Sequence, residues 1–147
     1  MNKEIYISLI KQLKNECPGF RYIAIDNGQL DAVSERPAID CPACLININY
    51  PSCTDLTDYE QLVRANIILK LVFRPAGETG NLSPRTILLK SLDHLDYVES
   101  VQNALQGCDL DGTVSAISRV NAIRTVRTDR LLVYAITYNT TFQEIQE

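Results

Sequence analysis

The chain contains no tryptophan and a single histidine, His94. It also lacks a Gly-rich phosphate loop, a GxSxG elbow and an HExxH pair, so the familiar hydrolase and metalloenzyme plans are unsupported. No apolar run approaches the roughly 20 residues that cross a bilayer, and Met1-Asn2-Lys3-Glu4 is not the start of a secretory leader. A cytosolic chain with no membrane partner is expected. Bases do not predominate either: 14 Lys and Arg stand against 18 Asp and Glu, a formal net charge of −4. A binder of phosphate backbones draws its affinity from clustered cations, so no sequence-specific nucleic-acid partner is expected. Five cysteines are an odd number without an export signal, which points to reduced thiols.

What is present suits one domain spanning residues 1–147: 46% of the chain is hydrophobic and 22% charged. A compact chain of this size exposes about 7,500 Å² of roughly 24,000 Å² available unfolded, enough burial for one core without a metal or disulfide. Tyr6, Leu9, Ile10, Leu13 and Cys17 recur at helical spacing, with Asn2 as a cap and Pro18-Gly19 as the stop. Phe20 to Ile25 reads as a strand, and Asn27-Gly28 predicts a tight hairpin ending near Val33. The Ser34-Glu35-Arg36-Pro37 segment is a polar loop. Ala43 to Tyr50 alternates, Cys44, Ile46, Ile48 and Tyr50 on one face, and Pro51 to Thr57 reads as a turn.

Residues 59–74 give the longest alternation, with Val63, Ala65, Ile67, Leu69, Leu71 and Phe73 on one side. A strand of about 16 residues spans roughly 50 Å and overhangs a small domain, so its end is expected to rest on another molecule. Pro75 to Asn81 holds two glycines and no large apolar residue, which predicts a mobile contact arm. A second helix comes next, beginning near Ser83-Pro84 or Ser91, carrying Leu88, Leu92, Leu95, Val98, Val101 and Leu105 inward and stopped by Gly107. Strands are expected over Val114 to Arg127 and Arg130 to Thr141, joined by a turn at Thr128-Asp129; the second is apolar on both faces and belongs in mid-sheet. The predicted class is α+β: a mainly antiparallel β-sheet with two amphipathic helices packed on one face and an extended hairpin or loop arm.

The sharpest chemical motif is Cys41-Pro42-Ala43-Cys44. Paired thiols at this spacing run disulfide exchange when a helix amino end lowers one pKa, but here Cys44 opens a strand. Zinc is the other use, with Cys53 and one of Cys17, Cys108 or His94 completing the set, although a second knuckle is missing. A small thiol-redox or zinc-binding domain is thus the alternative function. His94 is expected to be a solvated helix residue. Asp109-Leu110-Asp111-Gly112 has the opening of a calcium loop without its later glutamate, and reads as a turn. Arg119, Arg124, Arg127 and Arg130 crowd the last hairpin, and a basic stripe with Arg64, Lys70 and Arg74 on the outer sheet face fits either ordinary solvated strands or a surface complementary to an acidic partner.

An amino-terminal helix, then Pro42-Ala43-Cys44-Leu45-Ile46-Asn47-Ile48, the strand Leu62 to Phe73, the helix Leu95-Asp96-Tyr97-Val98 to Ala104-Leu105-Gln106-Gly107, and the final hairpin Ser118-Arg119 to Val133-Tyr134-Ala135-Ile136-Thr137-Tyr138 succeed one another in order. As an ordered pattern this resembles the phage tail terminator (tail completion, minor tail) family. The resemblance covers most of the chain, although none of its motifs is diagnostic alone. It implies a prophage-encoded structural protein, not an enzyme and without a cofactor, that forms a hexameric ring in the host cytoplasm, caps the tail tube in the virion tail, and meets the head–tail connector. It further implies ring contacts at Tyr59, Arg64, Arg74, Pro75, Glu78 and Asn81. The family offers no role for Cys41, Cys44 and Cys53.

Overall fold

A computed structural model describes residues 3–31, 39–75, 80–127 and 130–146. The chain runs α1 (Lys3–Glu16), β1 (Tyr22–Ile25), a 3₁₀ turn (Gln29–Asp31), β2 (Ala43–Asp55), β3 (Glu60–Phe73), α2 (Arg85–Ser91), α3 (Asp93–Leu105), β4 (Ser118–Val126) and β5 (Leu132–Ile145). The five strands form one sheet in the order β1-β2-β3-β5-β4, antiparallel except where β1 joins β2. The α+β class holds.

Period two decides which side chains meet the helices. Cys44, Ile46 and Ile48 of β2, Val63 to Phe73 at odd positions of β3, and Ile136, Tyr138 and Phe142 of β5 form the main core with Ile5, Leu9 and Leu13 of α1 and Val101, Ala104 and Leu105 of α3. Tyr138 lies wholly inside and donates its hydroxyl to Gln102 Oε1 at 2.9 Å. Among the described residues, the opposite face is covered at one end, where Leu30 and Ile39 pack with Ala43, Leu45, Val72, Leu131 and Val133.

Several expectations need correction. The described residues after β1 form no hairpin with it: Gly28 N–H donates to Asp26 Oδ1 at 3.1 Å, the Gln29 side chain closes onto Asn27 N–H and the Ile25 carbonyl, and β1 pairs parallel with β2. Pro51 does not start a turn, because β2 continues to Asp55 through a register shift between Asn49 and Ser52. Proline fits there since β1 pairs only with Ala43–Ile46, leaving the rest of β2 as an edge. The second helix is two: Ser91 Oγ donates back to the Leu88 carbonyl at 2.7 Å and Leu92 leaves the helical region at φ −99, ψ 0, so Leu95 faces solvent. Val114 and Ile117 are buried in the turn that precedes β4. Asn2, Val33, residues 34–37 and the turn at 128–129 lie outside the described residues.

Gly107 does end α3, at φ +78. β5 does lie in mid-sheet, between β3 and β4. The strand at 59–74 is also long, but its backbone is satisfied at home: every residue from Glu60 to Phe73 pairs with β5, and β2 accompanies it out to Gln61. What overhangs is therefore a three-stranded tip.

Candidate functional site

The thiols are separated by the strand geometry that contains them. Cys44 is fully buried in the main core, whereas Cys41 packs against the smaller cluster on the other face, and Cys53 is exposed near the tip. Burial raises the Cys44 thiol well above the ordinary range, and burial is also the main cause raising Cys41 and Cys17. A redox pair needs a stabilised thiolate, so this site is built the opposite way. Among the described residues no three of His, Cys, Asp and Glu converge as metal ligands.

His94 is not a solvated helix residue. Its ring lies in a cluster with Phe73 and Tyr134, its Nε2 3.3 Å from Tyr134 Oη and its Nδ1 3.1 Å from the Ser91 carbonyl oxygen. Beside it is an open cleft of about 210 Å³ lined by Cys41, Phe73, Arg74, Lys90, His94 and Tyr97, among others. The Cys41 thiol in this cleft is raised by burial against a smaller lowering by Arg74, whose Nη2 is turned toward the Ile39 carbonyl at 3.4 Å. The Asp109 segment is the expected turn: Leu110, Asp111 and Gly112 all take positive φ, and Asp109 and Leu110 carbonyls accept bonds from within the turn.

The residues implied as ring contacts do not make one patch. Tyr59, 70% exposed, and Arg64 lie toward the tip, whereas Arg74, Pro75 and Asn81 are exposed beyond the opposite end of β3. Along β3 even Arg64 and Arg74 stand roughly 34 Å apart at ~3.4 Å per residue. Glu78 and most of the 75–81 arm lie outside the described residues. Nor is there a single basic stripe. Register places Arg119 beside Tyr138 and Arg124 beside Tyr134 on the helix side, while Arg64 and Lys70 align with Thr141 and Ala135 on the other. Lys70 is moreover paired with Asp26 at 3.1 Å.

The exposed surface has two features that alternation did not reveal. Ser118 to Thr125 of β4 is exposed throughout, including Val120 at 55% and Ile123 at 56%. The tip also carries uncovered apolar groups, Leu56, Tyr59, Leu62 and Ile145, among Asp55, Asp58 and Glu60. The sequence signal for β4 was weak, because the register shift between Arg119 and Asn121 breaks its alternation.

No protein-family model matches the chain, and no curated protein is similar to it in sequence. Among solved structures, a chain described as "Virion of native gene transfer agent (GTA) particle" is similar in fold, with a TM-score of 0.60 and 13% identity over 92% of this chain and 91% of that one.

Proposed function

We propose that this chain is a structural subunit of a phage-like virion and works as a ring at the end of the tail tube. The observation that carries the reading is the fold shared, almost end to end, with a chain of a gene transfer agent virion. The ordered resemblance to tail terminators agrees with it. Two exposed surfaces suit such contacts, the tip with Leu56, Tyr59 and Ile145 and the β4 edge with Val120 and Ile123. In this reading one ring face receives the last tube subunits and ends their addition, while the other receives the head–tail connector. No catalysis is required, and selectivity comes from matched shape and charge.

Multi-angle light scattering at rising concentration, with and without tube protein, tests the reading. A discrete ring mass that binds the tube end is expected. A particle that stays monomeric and engages neither tube nor connector overturns it.

A further inference from the structure

The two ends of the sheet carry opposite charge and unfinished edges. Among the described residues β4 is the terminal strand on one side, with β5 as its neighbour, and alternate backbone groups of such a strand face outward. The Gln106 side chain closes this edge at Arg119, accepting its N–H at 3.0 Å, and Val120 to Thr125 beyond it are exposed. On the other side, β2 is an edge from Asn47 onward; Tyr6 Oη accepts the Ile48 N–H there at 3.2 Å, and residues 51–55 run exposed past it into the tip. Ser118–Val126 contains two arginines and no acid, whereas Asp55-Leu56-Thr57-Asp58-Tyr59-Glu60 contains three acids and no base. Each is flanked by apolar side chains without cover, Val120 and Ile123 on one, Leu56 and Leu62 on the other.

We infer that β4 of one copy adds to the outer β2 edge at the tip of a second copy, so that the sheet continues from subunit to subunit. The inference rests on the ring reading and names its joint. An added strand gains ladder hydrogen bonds along its length, with side-chain charge fixing partner and register. The alternative, two β4 strands pairing antiparallel about Ala122, gathers Arg119 and Arg124 of both copies into one joint with no acid between them. Joining unlike edges is head-to-tail, the kind of contact that closes into a ring when the rotation between copies closes. The edges also lie at different heights. β4 residue Ala122 is level with Leu69 of β3, through Ile136, whereas Cys53 is level with Val63. The stagger tilts the strands as a closed sheet requires.

The test uses two charge-reversed full-length proteins, Arg119→Glu/Arg124→Glu and Asp55→Arg/Asp58→Arg, in sedimentation velocity, with circular dichroism confirming the fold. All four side chains are exposed. Each variant alone is expected to self-associate at least tenfold more weakly than the unaltered chain. Their equimolar mixture is expected to reassemble, because both kinds of joint then bring opposite charges together. Where a double variant fails to fold, Ile123→Lys supplies the same loss. Variants that assemble like the unaltered chain, or a mixture that stays dissociated, overturn the joint while leaving the ring reading standing. An unaltered chain that never assembles overturns both.

Discussion

Cys44 and Cys53 are the same residue type on one strand, on the same face, with opposite fates. Cys44 is fully buried and its pKa is raised chiefly by burial, while Cys53 is exposed near the tip. Titration with a thiol reagent should modify Cys53 at once in the native protein and Cys44 only after denaturant; early modification of Cys44 contradicts the core assignment. The same burial sets a pH dependence. Cys44 is raised above its ordinary 9.0, and Tyr138 is raised to about 12 from 10.0 by burial, against a smaller lowering by Arg119. Both groups ionise more readily in the unfolded chain, so stability is intact below about pH 9 and falls as pH rises past the unfolded pKa values. The slope approaches about 1.4 kcal/mol per pH unit for each group. Urea midpoints at pH 8, 9.5 and 10.5 check the sign. The place of Cys44 was legible because it shares the alternation of Ile46 and Ile48. Cys41 precedes the strand, so no period fixed its side, and its separation from Cys44 needed coordinates.

Elements announced themselves in proportion to how much apolar face they bury. α1 and β3 carry long periodic stripes, and they emerged within a residue or so of their expected limits. The failures were local chemistry set against pattern. Asn27-Gly28 favours a turn, and a turn is present with Gly28 at φ +80, but it leads into a 3₁₀ segment and not a returning strand. Pro51 signals a break only if the strand needs its N–H for a neighbour, and whether β2 is an edge there depends on how short β1 is. Gly107 is the reverse case, a local signal that carried through. It holds φ +78 directly after the α3 cap, its N–H donating to the Ile117 carbonyl at 2.7 Å, and an added Cβ there meets no atom within 4 Å. Gly107→Ala should therefore cost only the backbone strain, about 1 kcal/mol or roughly 2–4 °C in Tm. Calorimetry showing no change means the helix end relaxes, and a loss well beyond that means the turn cannot.

At the scale of the whole molecule the sequence was least informative, because sheet order and the identity of edges are non-local. Nothing in Ser118–Val126 marks it as terminal, and no property of Asp55–Glu60 says that the tip stands clear of the helices. Only their placement on opposite sides of the sheet lets a cationic edge and an anionic tip serve as two halves of one joint. That division has a consequence for assembly. The net charge of −4 makes copies repel one another on average, so association requires the local attraction between β4 and the tip to exceed the global repulsion. Salt does not act on both equally: the Debye length is about 10 Å at 0.1 M, so the long-range repulsion is already largely screened there, and the fall to about 3 Å at 1 M acts mainly on the short-range attraction at the joint. Four side chains, Arg119, Arg124, Asp55 and Asp58, are exposed, so their pairing has little burial to protect it from screening. The ring mass should therefore decline at 1 M NaCl relative to 0.1 M, and the decline should vanish in a protein carrying Arg119→Gln and Arg124→Gln. Sedimentation velocity at the two salt concentrations reads both. An assembly that tightens with salt in the unaltered chain places the weight of the joint on Val120, Ile123 and Leu62, and reverses the order of importance argued for charge.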